Sequence, residues 1–133
     1  LNEIIKHMKK SKFLVDDLTY KGNTKYMGLC KFEGNPSRRI DIRLIPLDSY
    51  GAALLYFTGS GDFNKNMRTY ALKKGYTINE YGIYKLKDQT DKNGKKKKVK
   101  GLKLKAITEE DIFNFLDLDY IEPEYRTQKV TFE

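Results

Sequence analysis

The stretch Arg38-Arg39-Ile40-Asp41-Ile42-Arg43 is the first place where residue types and spacing could do chemistry. Ile40, Ile42 and Leu44 alternate with Arg39, Asp41 and Arg43, the period-2 pattern of a strand with one apolar and one charged face. A carboxylate between two arginines on its own face is expected to stay ionised. Such a carboxylate is a hard oxygen ligand suited to Mg²⁺, which commonly takes one or two carboxylates together with substrate phosphates. The competing reading is a charged pair on a solvated sheet face, and a single Asp is not a metal site.

A second constellation is Tyr56-Phe57-Thr58-Gly59-Ser60-Gly61, which runs into a helical pattern. A glycine-rich bend at a helix N-terminus presents free N–H groups and the positive end of the helix dipole, a combination that suits phosphate. Asn64, Lys65 and Arg68 follow, with Asn64 and Arg68 on a face other than that of Phe63 and Met67. They could present an amide and a guanidinium to base edges or phosphates. Otherwise the bend is an ordinary helix–helix turn and the polar residues are a solvated face. A third candidate is the lysine run Lys95–Lys98, which could follow a phosphate backbone, with Tyr81 and Tyr84 nearby for stacking if they face outward. Lysines on an edge strand also discourage aggregation. Cys30 reads as a small core residue and His7 as exposed and structural.

The elements that must position these groups are short. Leu1, Ile4, Ile5 and Met8 fall on one helical face within residues 1–12. Phe13–Tyr20, Lys25–Phe32 and Arg38–Pro46 read as strands, with a turn at Lys21-Gly22-Asn23 and a loop at 33–37, so an antiparallel meander under one helix is expected. Ser49–Phe57 and Asp62–Lys74 read as helices, the latter closed by Gly75. Thr77–Lys87 and Lys96–Lys105 read as two strands around Asp91-Lys92-Asn93-Gly94, a hairpin signal. Thr108 and Asp111 form a capping box, with Ile107 and Ile112 placed as a hydrophobic staple. Pro123 stops further helix, and residues 127–133 are expected to be loosely held.

The 133 residues carry 26 basic and 18 acidic side chains, a net charge of +8. Ten lysines and two aspartates lie in residues 85–105, a local +8, whereas residues 106–133 carry 2 basic and 8 acidic groups. The length suits one domain, or one domain and a small lobe. No apolar run could span a membrane, and the amphipathic start is unlike a signal peptide. One cysteine forbids an internal disulfide and suits a reducing compartment; one histidine argues against a zinc site or a His-based triad. At 39% hydrophobic and 13% aromatic, the chain can bury a core.

Taken in order, Gly22–Gly28, Arg38–Pro46, Tyr56–Ser60, Phe63–Arg68, Gly75–Tyr81, Glu110–Phe113 and Glu122-Pro123 resemble the C-terminal part of the family X DNA polymerases, over nearly the whole chain. The resemblance implies an α+β fold: an antiparallel palm sheet remnant with covering helices over residues 1–57. A small α+β thumb lobe over 58–133 would follow, its β-hairpin at 85–105. It implies primer extension by two-metal phosphoryl transfer with two Mg²⁺ ions, in gap-filling base excision repair. Partners would be primer-template or gapped DNA and a deoxynucleoside triphosphate, for a monomer with no membrane contact. The location would be intracellular: the nucleus, or the cytoplasm or virion if the source is viral, which the Lys and Asn richness suits.

By the same resemblance, Asp41 is the catalytic, metal-binding carboxylate. Tyr56, Phe57, Gly59, Gly61 and Asn64 line the nucleotide. Lys25, Arg39, Lys65, Arg68, Tyr81 and Lys95, Lys96, Lys97 and Lys98 are expected to meet DNA, the hairpin lysines as a departure from the family. Arg43 and Glu80 would be partners in a switch between open and closed lobes. The family's other two palm carboxylates lie on an Asp-x-Asp strand N-terminal to this region, as does its Gly-Ser triphosphate element. Asp16-Asp17 has the wrong spacing to replace that strand. The chain, which starts at Leu1, is therefore expected to be a fragment and inactive alone. Gly61 also stands where a relative has a larger side chain near the nucleotide. A non-catalytic DNA-binding module and a template-independent terminal transferase are the alternatives.

Overall fold

The computed structural model describes residues 1–19 and 22–132. Tyr20, at the end of one expected strand, and Lys21, in the expected turn after it, lie outside them. The chain forms two compact units, Leu1–Ile45 and Pro46–Glu133. The 57/58 position expected for the lobe boundary lies further along, at the end of a helix whose apolar residues belong to the second unit's core.

In the first unit, helix α1 (Asn2–Lys10) precedes strands β1 (Leu14–Thr19), β2 (Lys25–Cys30) and β3 (Arg38–Arg43). The strands form the expected antiparallel meander in the order β1-β2-β3. Ile5, Leu14 and Tyr26 are its buried core, and Leu1, Met8, Phe13, Cys30, Ile40 and Ile42 pack around them. Ile4, expected on the buried face, is 50% exposed, because α1 presents Ile5 to the sheet and leaves Ile4 at the margin. Leu44 lies beyond the end of β3 and is also half exposed. The Tyr26 hydroxyl donates to Asp17 Oδ1 (2.7 Å), and Lys9 Nζ donates to Asp17 Oδ2 (2.7 Å). Those two hydrogen bonds, Lys9 first and Tyr26 second, hold the Asp17 carboxyl below its ordinary pKa. Gly28 is required here, since a β-carbon would collide with the Tyr26 ring and hydroxyl.

The second unit begins with a 3-10 turn at Leu47–Ser49. Helices α2 (Tyr50–Thr58) and α3 (Gly61–Lys73) follow, then strands β4 (Tyr76–Asn79), β5 (Gly82–Thr90) and β6 (Lys96–Leu104), and helix α4 (Glu109–Phe115). Its sheet is antiparallel in the order β4-β5-β6. The single strand expected over Thr77–Lys87 is two. The Asn79 side-chain oxygen accepts from the N–H groups of Tyr81 (2.8 Å) and Gly82 (3.1 Å) and reverses the chain there. The hairpin expected at Asp91–Gly94 is present, and at its turn Asp91 Oδ1 accepts from the N–H groups of Asn93 and Lys95.

The second core joins Ala52 and Leu55 of α2 and Phe63, Met67, Tyr70 and Ala71 of α3. Ile78 and Ile83 of the sheet and Ile112, Phe113 and Leu116 of the α4 region complete it, with Ala106. The expected capping box is present: Thr108 Oγ1 accepts from Asp111 N–H, and Asp111 accepts from Thr108 N–H. The N–H groups of Thr108 and Ile107, each donating to Asp111 Oδ2 (3.0 Å), hold the Asp111 carboxyl below its ordinary pKa. Residues 127–132 are not loose as expected. Phe132 packs against Phe63 and Tyr70, and Asn66 Nδ2 donates to the Val130 carbonyl (3.1 Å). The two apolar residues of the tail give it a reason to dock.

Candidate functional site

The charged face of the first sheet is set by register. Asp41 is opposite Met27, Arg43 opposite Lys25, and Arg39 opposite Leu29. With Ile40 and Ile42 turned to the α1 side, Lys25, Arg39, Asp41 and Arg43 share the other face. Arg39 Nε donates to Asp41 Oδ1 (3.0 Å), with both side chains about half exposed. An exposed pair like this contributes about 0–1 kcal/mol, so it yields easily to a stronger partner of either group. Asp41 therefore fits one oxygen ligand of a hard cation. It is not a complete site: among the described residues no three His, Cys, Asp or Glu side chains are grouped to hold a metal. Among the described residues β3, which carries Asp41, is the last strand of its sheet and pairs with no further strand.

The α2–α3 corner of the second unit gathers the other group. α2 ends in Tyr56, Phe57 and Thr58, and Gly59 takes φ +73°, where a side chain would be strained. Ser60 caps α3: its Oγ accepts from Phe63 N–H (3.2 Å) and donates to the Arg126 carbonyl (2.8 Å). The bend brings Asn64 back onto α2, where its Nδ2 donates to the Tyr56 carbonyl (2.9 Å). The Arg68 guanidinium lies 5.3 Å from the Tyr56 ring centre, a cation–π contact, and the Phe57 ring meets that of Tyr56 edge to face. Tyr56, Phe57, Gly59, Gly61, Asn64, Lys65 and Arg68 line one open groove of about 760 Å³. Nothing lies within 4 Å of where a β-carbon on Gly61 would stand, so the groove is open there. An aromatic wall, an amide, two cations and a helix N-terminus suit a planar base and its phosphates.

The remaining predicted residues do not line the groove. Arg43 is part-buried on β3 of the first unit, and Glu80 is part-buried in the β4–β5 turn of the second. Tyr81, in that turn, is 57% exposed. Lys95–Lys98 are exposed on the β5–β6 hairpin and do not line the groove.

Sequence reasoning missed the group that holds the corner from behind. Arg126 is wholly buried. Its Nη1 donates to Glu109 Oε2 (2.6 Å) and its Nε to the Ile121 carbonyl (2.9 Å). Its guanidinium lies 5.4–5.6 Å from the ring centres of Phe63, Phe113 and Tyr120. The Tyr120 hydroxyl donates to Glu109 Oε1, and burial, followed by the Glu109 charge, pushes its pKa up. Through its carbonyl Arg126 fixes Ser60, and so the start of α3. An arginine in an acidic, near-terminal segment reads as surface, and no local signal marks its burial.

The DNA polymerase beta palm family matches residues 1–47, and the DNA polymerase beta thumb family matches residues 53–127. The chain is 36% identical over 130 residues to DNA polymerase lambda of Rattus norvegicus, a match spanning 92% of this chain and 22% of that protein. It is 30% identical over 136 residues to DNA polymerase lambda of Arabidopsis thaliana, spanning 95% of this chain and 25% of that protein. It is 30% identical over 102 residues to DNA polymerase IV of Saccharomyces cerevisiae, spanning 77% and 15%. The chain thus spans about a quarter or less of the length of these curated relatives. One match falls on the sheet that carries Asp41 and the other on the corner that carries Tyr56, Asn64 and Arg68: the chain belongs to the DNA polymerase beta-like family X polymerases and carries palm and thumb sequence of that family.

Proposed function

We propose that this chain forms part of a templated DNA polymerase that extends a primer 3′ end in short gaps during repair. The observation that carries the reading is the convergence of Tyr56, Asn64 and Arg68 on one groove at the start of α3. The Tyr56 and Phe57 rings wall the sugar and base of an incoming deoxynucleoside triphosphate. Asn64 and Arg68, released from Tyr56, meet the edge of the new base pair and the template strand. Gly59 and the N–H groups at the start of α3 lie along the phosphates. Lys25 and Arg39 hold primer-template phosphates on the sheet face, and Lys65 does so beside the groove.

Asp41 supplies one carboxylate to the Mg²⁺ pair, which when bound offsets charge developing on the transferred phosphoryl group. We expect its remaining ligands outside the described residues, among which no three His, Cys, Asp or Glu side chains are grouped to hold a metal. The edge of β3 away from β2 is where a further strand would bring those ligands alongside. Arg43 and Glu80 are the pair we assign to opening and closing of the lobes, an induced-fit step that favours the correct nucleotide. The named relatives come from eukaryotic cells, which supports a nuclear setting.

The test is single-nucleotide gap filling by the native protein, with Asp41→Ala and Arg68→Ala compared with the unaltered enzyme. Asp41→Ala should abolish incorporation while gapped-DNA binding persists. Arg68→Ala should lower incorporation of the templated nucleotide more than that of a mismatch. Undiminished incorporation by the Asp41 variant overturns the assignment.

A further inference from the structure

We propose that the β5–β6 hairpin is a second DNA-binding surface: an arm that grips duplex phosphates without regard to sequence, separate from the groove at α3. This rests on the reading that the substrate is DNA. Every residue from Lys87 to Lys98 is exposed, so both faces of the distal hairpin meet solvent. A ladder this exposed gains little from burial. It is held by its turn, where Asp91 N–H donates to the Lys95 carbonyl and Asp91 Oδ1 accepts from two N–H groups.

The lysines are arranged rather than scattered. Lys96, Lys98 and Lys100 share one face of β6, and Lys97 lies on the other. Same-face neighbours are about 6.8 Å apart along the strand, about two nucleotide steps of a B-form strand. At the base of the arm the Lys100 ammonium lies 4.4 Å from the Tyr84 ring centre and so braces that face. Asp88, opposite Lys98, is the only acidic residue on the two strands of the arm.

Among its described residues, the acidic segment 106–132 makes no ion pair with these lysines. Glu109 is committed to Arg126 and Asp111 to the α4 cap. Among the described residues no ion pair engages Lys95, Lys96, Lys97 or Lys98. Four exposed cations without an ion-pair partner among the described residues fit a polyanion, and a phosphate backbone has the matching repeat.

The test measures binding of the 133-residue chain to a 20-base-pair blunt duplex and to a gapped duplex, between about 50 and 200 mM salt. Lys95, Lys96, Lys97 and Lys98 are replaced together by Gln, which spares the backbone bonds of the turn. The log–log salt slope should flatten by about 2 on both duplexes, from about 0.9 for each of the two same-face contacts of Lys96 and Lys98. Asp88→Lys should steepen it by up to about 1. Unchanged slopes in both variants overturn the proposal. So does a loss confined to competition by poly-glutamate, which points instead to an acidic protein partner. Gap filling that still depends on Asp41 while the slopes stay fixed defeats the arm and spares the polymerase reading. Slopes that respond while gap filling is absent do the reverse.

Discussion

Single residues carry most of the consequences in the second unit. Arg126 and Glu109 form an ion pair with almost no solvent access, and three aromatic rings surround the guanidinium. Removing one partner leaves a buried, unpaired charge, so Glu109→Gln or Arg126→Met should each destabilise the unit by about 3–5 kcal/mol in urea unfolding. The double substitution should cost clearly less than the sum of the two. Full additivity would show that the pair acts as two independent groups.

Acid sensitivity is also a residue-scale property. Asp17 and Asp111 both have folded-state pKa values below the ordinary 3.8. A depressed carboxyl contributes stability that is present above its unfolded value and is lost as pH falls through its folded value. Thermal melts should therefore be flat above about pH 5 and fall steeply below about pH 4. Asp111→Asn should show a shallower acid slope than the unaltered chain.

At the scale of elements, the caps and close approaches decide which helices sit where. The Thr108–Asp111 box starts α4, and Thr108→Ala should cost about 0.5–2 kcal/mol. Gly51 lets α2 run against the segment before α4: its N–H donates to the Ala106 carbonyl, and a β-carbon there would collide with the Thr108 carbonyl. Gly51→Ala should therefore destabilise by about 1–3 kcal/mol despite its better helix propensity. The penalty should appear in unfolding midpoints, and a stabilised Gly51→Ala variant would contradict the packing described. Both elements bear on the groove, since α2 carries Tyr56 and Phe57 on its last turn.

The whole molecule consists of two units of unequal self-sufficiency. Among the described residues, Leu1–Ile45 has a cluster of three buried core residues, whereas Pro46–Glu133 has a cluster of twelve. A domain of about 40 residues without a disulfide or metal rarely holds itself together. Residues 46–133 alone should therefore give a cooperative melt and native-like dispersion in an NMR spectrum, and residues 1–45 alone should not. A cooperative transition in the shorter piece would mean that its core is underestimated.

Much of this architecture was legible because local signals agreed with one another. Period-2 alternation marked β3, Asp-x-Asn-Gly marked the hairpin turn, and the Thr108–Asp111 spacing marked α4. The β4–β5 reversal was not legible, because Asn79 makes its turn with a side-chain oxygen inside a stretch that otherwise reads as strand. Nor was the docked tail, whose Val130 and Phe132 are too few to show a period.

The sequence by itself determined the element types, the family and the residues to suspect: Asp41 on a charged strand face, Tyr56 to Arg68 around a glycine bend, and the lysine arm. Those are properties of spacing along the chain. Only the tertiary structure decided that Asn64 and Arg68 fold back onto Tyr56. Only it decided that Arg126, 66 residues from Ser60, anchors the start of α3 from the buried side. Burial and long-range hydrogen bonding depend on which surfaces meet, and no local pattern encodes that meeting.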